Sequence, residues 1–223
     1  SGTATTLGAL TDVLMDTANF NDSLLIQTNT NGSAPSHGIL NSASNNIGIG
    51  ANVFEILTSG TRNISIGSDA GKELTFGEQN VAIGYQAGST LKIGDKNVAI
   101  GTQALWTEDD TDGSTAIGYR ALYALSVLVT GNTHNVAVGY EAGFGVVTGT
   151  DNTLMGSEAG RDLDGSSKNV AIGTQALYTE DGAHGSTAIG FHALRSQNVP
   201  STGNTGNVAV GYEAGKSVSA GTD

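Results

Sequence analysis

The sequence predicts an all-β chain, a parallel β-solenoid of about ten 17-residue rungs. Three observations carry that prediction. First, a five-residue phrase, (Asn or Ser)-x-(mostly Ala)-(Ile, Val or Met)-Gly, starts at Asn46, Asn63, Asn80, Asn97, Ser114, Asn135, Asn152, Asn169, Ser186 and Asn207. Second, the step between starts is uniform, as from Asn46 to Asn63 to Asn80, and lengthens only after Ser114 and Ser186. Units this small bury no core alone and must stack on their neighbours. Third, Gly supplies 33 of 223 residues, roughly twice its usual share of about 7%, and it is locked to the repeat. A helical repeat needs about 34 residues per unit and tolerates glycine poorly.

Taken in chain order, residues 1–45 lack the repeat. Short apolar runs at Leu7–Leu14 and Ser23–Ile26 and a loop-like Asn29–Ser36 make this segment a cap or stalk junction, since a stack must protect its first rung. Residues 46–223 form the solenoid. In Asn80-Val81-Ala82-Ile83-Gly84, period-two alternation sets Val81 and Ile83 on one strand face and Ala82 on the other, and Gly84 makes a corner. The phrase and the segment after it predict two short strands and two turns per rung. Seven residues after each start comes Ala in nine of ten rungs (Ala70 to Ala214, with Val53 the exception), which indicates a thin interior. From Gly71 to Gly215 the next position is Gly or Leu. Where it is Gly, an apolar residue follows three positions on (Leu74, Leu91, Val146, Leu163, Val218), so core volume is exchanged within the rung. Gly60, Gly77, Gly94 and Gly149 mark a turn before the next start. The repeated Asn is expected to satisfy turn amides and carbonyls.

A second period overlies the first. Asn97 to Gly143 closely matches Asn169 to Gly215, four rungs on, and each copy holds one lengthened rung whose extra residues should bulge outward. The alternate strand face carries small residues (Ala82, Ala99, Ala116, Ala137, Ala171, Ala188, Ala209). That predicts close approach of neighbouring chains and a cyclic assembly.

The formal charge of −12 argues against nucleic-acid binding and against docking on anionic lipid. There is no Cys, and no apolar run of about 18 residues that would insert directly into a membrane. The sequence stops at Asp223 where a further repeat would begin, as expected of a fragment of a longer protein. His37, His134, His184 and His192 fall in separate stretches without metal-ligand spacing. Glu108-Asp109-Asp110-Thr111-Asp112, with Glu180-Asp181 as its thinner counterpart, reads first as a solvated acidic turn, then as a calcium site or a carboxylate pair for glycoside hydrolysis. Neither cofactor nor metal is expected, and the chain reads as non-enzymatic. Tyr119, Arg120, Tyr123, Phe191, His192 and Arg195, beside the two long rungs, are the candidate receptor-binding residues.

The phrase Asn-Val-Ala-Ile-Gly, followed by Ala and a second turn, resembles the head repeat of trimeric autotransporter adhesins and the similar repeats of phage tail-fibre proteins, over residues 46–223. The resemblance implies a left-handed parallel β-roll with three chains packed about an axis. The leader Thr6-Leu7-Gly8-Ala9-Leu10-Thr11-Asp12-Val13 is similar to phrases of phage tail structural proteins. The chain is therefore expected to be a non-enzymatic homotrimeric tail-fibre segment of a bacteriophage virion, extracellular, forming shaft or host-receptor surface for a cell-surface glycan or protein. The alternatives are the head of a bacterial cell-surface adhesin and a glycan-depolymerising tailspike.

Overall fold

A computed structural model describes residues 13–14, 20–26, 42–106, 110–125, 131–180, 183–197, 203–204 and 206–218. Within them one twelve-stranded sheet runs the length of the molecule. Ten of its strands are the three residues that follow each rung start, from Ile47–Ile49 through Val81–Ile83 to Val208–Val210. Each pairs in parallel with the next in strict register, as in Val81↔Val98, Ala82↔Ala99 and Ile83↔Ile100. Ten strands bound nine turns of coil, and no helix occurs among the described residues.

The rung has one strand, not the two the sequence suggests. Its return leg is mostly turns, with strand pairing there limited to short pieces: Thr179–Glu180, Ser196–Gln197 and Ser217–Val218 together, Thr111–Asp112 with Gly131–Asn132, and Ala183–His184 with Gly203–Asn204. The reason is local geometry. Gln86 (φ 56°) and Gly88 (φ 52°) are both left-handed, two residues apart, and bend the chain too tightly for an extended segment. Rungs still bond to one another along this leg, as in Gly71 N–H to the Ala87 carbonyl (3.0 Å) and Thr75 N–H to the Lys92 carbonyl (2.8 Å). At the corner, Gly84 has φ 131°, and a Cβ there would lie 2.7 Å from the Gly101 carbonyl carbon.

The interior is thin, as expected, but the strand faces are reversed from the expectation. Ala82, Ala99, Ala116, Ala137, Ala171, Ala188 and Ala209 point inward and are buried, so they do not furnish a surface for a neighbouring chain. Their flanking Val and Ile point out. The reason is volume. The inward strand residue faces the second Ala ladder (Ala70, Ala87, Ala104 and its successors) and, in most rungs, one large residue, which leaves little room beyond a methyl group; the exception is Leu154, buried beside Leu163 in a rung where Gly160 makes space for it. The Gly/Leu exchange holds. Leu74, Leu91, Val146 and Leu163 are buried in the Gly rungs, and Leu105, Leu122, Leu177 and Leu194 in the others. Leu125 adds to Leu122 in one long rung, and in the other the equivalent Gln197 is buried with its amide on Ser186 Oγ (3.3 Å).

The Asn column is a hydrogen-bond ladder that runs from Asn46 to Ser114 and from Asn135 to Ser186. Asn80 N–H donates to Asn63 Oδ1 (2.9 Å) and Asn97 N–H to Asn80 Oδ1 (2.9 Å). From Asn46 to Asn97, and again at Asn135 and Asn152, Nδ2 donates across the coil to a turn carbonyl 14 residues on, Gly77, Gly94 and Gly149 among them. At Ser114 the hydroxyl lies 2.6 Å from that of Thr133.

The coil starts earlier than Asn46. Leu24–Ile26 pairs in parallel with Ile47–Ile49, Leu25 is buried, and Ser23 Oγ accepts the Asn46 N–H at 2.8 Å, as the Asn of any later rung would. Val13–Leu14 runs antiparallel beside this strand and covers the sheet's first edge. The rest of the leader 6–13, His37, the acidic residues Glu108, Asp109 and Asp181, and the outer bulge residues 126–130 and 198–202 lie outside the described residues.

Candidate functional site

A solenoid surface repeats by rung, so side chains at one offset form columns along the rod. Two such columns carry most of the exposed aromatic residues. Five residues after each rung start, just past the corner glycine, stand Tyr85, Thr102, Tyr119, Tyr140, Ser157, Thr174, Phe191 and Tyr212 in successive rungs. Nine residues after the start stand Trp106, Tyr123, Phe144, Arg161, Tyr178 and Arg195.

The second column is an unbroken stack. Trp106 lies on Tyr123 (centroids 5.1 Å, planes 13° apart) and Tyr123 on Phe144 (5.1 Å, 5°). Arg161 continues it, its guanidinium carbon 5.1 Å from the Phe144 centroid and 5.7 Å from that of Tyr178, and Arg195 lies 5.1 Å over Tyr178 on the far side. Cation–π contact of this kind favours Arg, whose flat guanidinium replaces a ring without breaking the stack.

The six predicted residues fall into two groups four rungs apart, about 19 Å along the axis, and do not converge on one site. Tyr119 stacks on Tyr140 (5.3 Å, 14°), and Tyr123 belongs to the second column. Arg120 stands between the columns, 5.0 Å from the Tyr119 ring and 5.2 Å from that of Tyr123, with Nε donating to Gln103 Oε1 (2.9 Å). In the later group Phe191 stacks on Tyr212 (5.3 Å, 12°) and His192 (3.7 Å, 24°), and His192 Nδ1 is 3.6 Å from Glu213 Oε1. Arg195 donates from Nε to Gln175 Oε1 (3.0 Å).

Sequence reasoning did not single out Phe144 and Arg161, although their shared offset of nine residues from the rung start was there to find. Arg161 is the most connected charge of this face. Its Nε donates to Glu141 Oε2 (3.2 Å) and lies 3.8 Å from Glu158, while its Nη1 meets Asp162 (3.3 Å). Burial opposes its charge, but the bond to Glu141 and the charge of Asp162 outweigh that and hold the guanidinium above its ordinary pKa. The charge of Glu141, then burial, raises the Tyr140 phenol. A hydrogen bond from Lys216 lowers Glu213.

The acidic turn is part of the frame where it is described. Asp112 Oδ1 accepts the Asp95 N–H (2.7 Å) and Asp95 Oδ1 the Glu78 N–H (2.7 Å), an inter-rung ladder two residues before each start. Thr150, Ser167 and His184 continue that offset, with Ser167 N–H donating to His184 Nδ1 (2.9 Å), and a shallow cleft of about 280 Å³ opens beside them and Lys168. Among the described residues no three His, Asp or Glu side chains stand together to hold a metal ion. Comparison with protein-family models, with curated proteins and with solved structures finds no match for this chain.

Proposed function

We propose that the chain is a shaft segment of a phage tail fibre, a non-enzymatic homotrimer whose outer surface takes part in host attachment. The observation that carries the trimer is the outward strand face. Over ten rungs its twenty residues are sixteen Val or Ile, three Thr and Met155, with no charge. Ile47, Ile49, Met155 and Ile172 are each more than a third exposed. The strip amounts to on the order of 1,000 Å² of apolar surface per chain, above the patch a monomer ordinarily leaves in water and comparable to one side of a stable interface. A cyclic arrangement closes such strips on one another without leaving one over.

A solenoid bonded rung to rung and closed in this way is a stiff rod, the mechanical property a fibre shaft requires. The tail-fibre assignment rests further on the leader's resemblance to phage tail proteins. The adhesin head shares the repeat and is separated from this reading by what lies beside the segment in its gene: a membrane-anchor β-barrel in one case, tail genes in the other.

Light scattering after gel filtration tests the trimer. A mass three times the single-chain value of 22.5 kDa is expected. Ile83→Asp with Val98→Asp should reduce it to the single-chain value. A wild-type mass near 22.5 kDa overturns the reading.

A further inference from the structure

The corner column of rings is interrupted. Between Tyr140 and Phe191 two successive rungs carry Ser157 and Thr174 instead. Three rises of about 4.8 Å set the two rings about 14 Å apart along the axis, and about 11 Å stays open after about 3.5 Å for their own thickness. Tyr140 stacks on Tyr119 on one side, and no ring or cation among the described residues covers its other side; its surface is 52% exposed. Neither the Ser157 nor the Thr174 hydroxyl is engaged by another described group. Beside them Gln175 Nε2 donates to Glu158 Oε2 (2.6 Å).

We propose that this interval is a saccharide slot, in which one pyranose ring lies on the free face of Tyr140 and a second reaches toward Phe191. A pyranose presents a face of C–H bonds to an aromatic ring and a rim of hydroxyls that both donate and accept. The slot offers the matching set: the free face of Tyr140 at one end, two free hydroxyls on its floor, and a carboxylate and an amide at its side. Other occupants fit worse. Phosphate-bearing ligands meet Glu141 and Glu158 on a chain of charge −12. A neighbouring copy's Val/Ile strip would strip water from Glu158 and both hydroxyls without replacing their hydrogen bonds.

The inference deepens the attachment reading by naming its ligand class. The slot lies within one chain, so sugar binding and trimer mass fail separately on the same sample. The sequence itself supplies the test. Ser157 corresponds to Tyr85 one four-rung period earlier, so the frame accepts Tyr at this position. Ser157→Tyr covers the free face of Tyr140 without removing a structural group.

The experiment is saturation-transfer NMR on the whole chain with maltose, lactose, chitobiose, methyl α-mannoside and methyl α-rhamnoside, light scattering being run in parallel. At least one saccharide is expected to receive saturation at its ring C–H protons. Ser157→Tyr and Tyr140→Ala should each weaken that transfer at least tenfold at unchanged mass, while Thr102→Tyr, in the other gap of the column, leaves it intact. Three results would overturn the slot: no transfer to any of the five sugars, undiminished transfer in Ser157→Tyr, or dissociation of the assembly by Ser157→Tyr.

Discussion

Asn80→Ala separates the two parts of the ladder's work. Asn80 is buried, its Oδ1 takes the Asn97 N–H at 2.9 Å, and its Nδ2 reaches the Gly94 carbonyl at 2.7 Å. Alanine orphans both main-chain groups in a region water does not enter. A buried polar group left without a partner costs about 1–3 kcal/mol, so two predict a loss of about 3–5 kcal/mol, allowing for local relaxation. Asn80→Ser is the discriminating control. Ser23 accepts the following rung's N–H through its hydroxyl (2.8 Å), so serine preserves one function and is too short for the other. The predicted cost is about half as large, on the order of 1–3 kcal/mol. The assay is urea unfolding at fixed chain concentration, since association shifts apparent stability, together with amide exchange at Asn97. Exchange there should accelerate strongly in the Ala variant and little in the Ser variant. An Ala variant within about 1 kcal/mol of wild type, or a Ser variant as damaged as Ala, would refute the account of the ladder.

Gly84→Ala places a Cβ 2.7 Å from the Gly101 carbonyl carbon at φ 131°. It should cost about 3 kcal/mol or more, read as a lowered urea midpoint. Leu163→Ala, in a fully buried site walled by neighbouring rungs, should lose about 2–5 kcal/mol, with the cavity left open because the coil has no slack to collapse. At Tyr140 the charge of Glu141 favours the protonated phenol in the folded chain. That contribution is present below the ordinary phenol pKa and is lost as pH rises through the raised folded value. Phenolate absorbance assigned by difference with Tyr140→Phe should therefore appear at higher pH than in a model peptide, and Glu141→Gln should move it back down. Titration of Tyr140 at or below the peptide value would show that the carboxylate is not felt there.

The repeat period, the corner glycines, the Asn ladder and the Gly/Leu exchange were all legible in the sequence, because each is a local requirement that every rung must meet with the same residue at the same offset. The rung at Ser23 was not, since its step to Asn46 is longer than any later one and it has Gln27 where the later rungs have glycine; only its pairing with Ile47–Ile49 reveals it. The candidate site was legible in part. Tyr119, Tyr123, Phe191 and Arg195 stood out by their place beside the long rungs, and their offsets of five and nine residues from the rung start separate them into two columns, but that the second column stacks without a break through Phe144 and Arg161 is seen only in the structure. What only the tertiary structure decided is which strand face is the inside. Alternation in Val81-Ala82-Ile83 fixes that the two kinds of side chain oppose each other, and it is symmetric between the two assignments. The coil breaks that symmetry by size. One strand, one Ala ladder and one large residue enclose so little volume in most rungs that a methyl group fills it, Leu154 beside Gly160 being the exception, and the bulky Val and Ile are displaced to the outside.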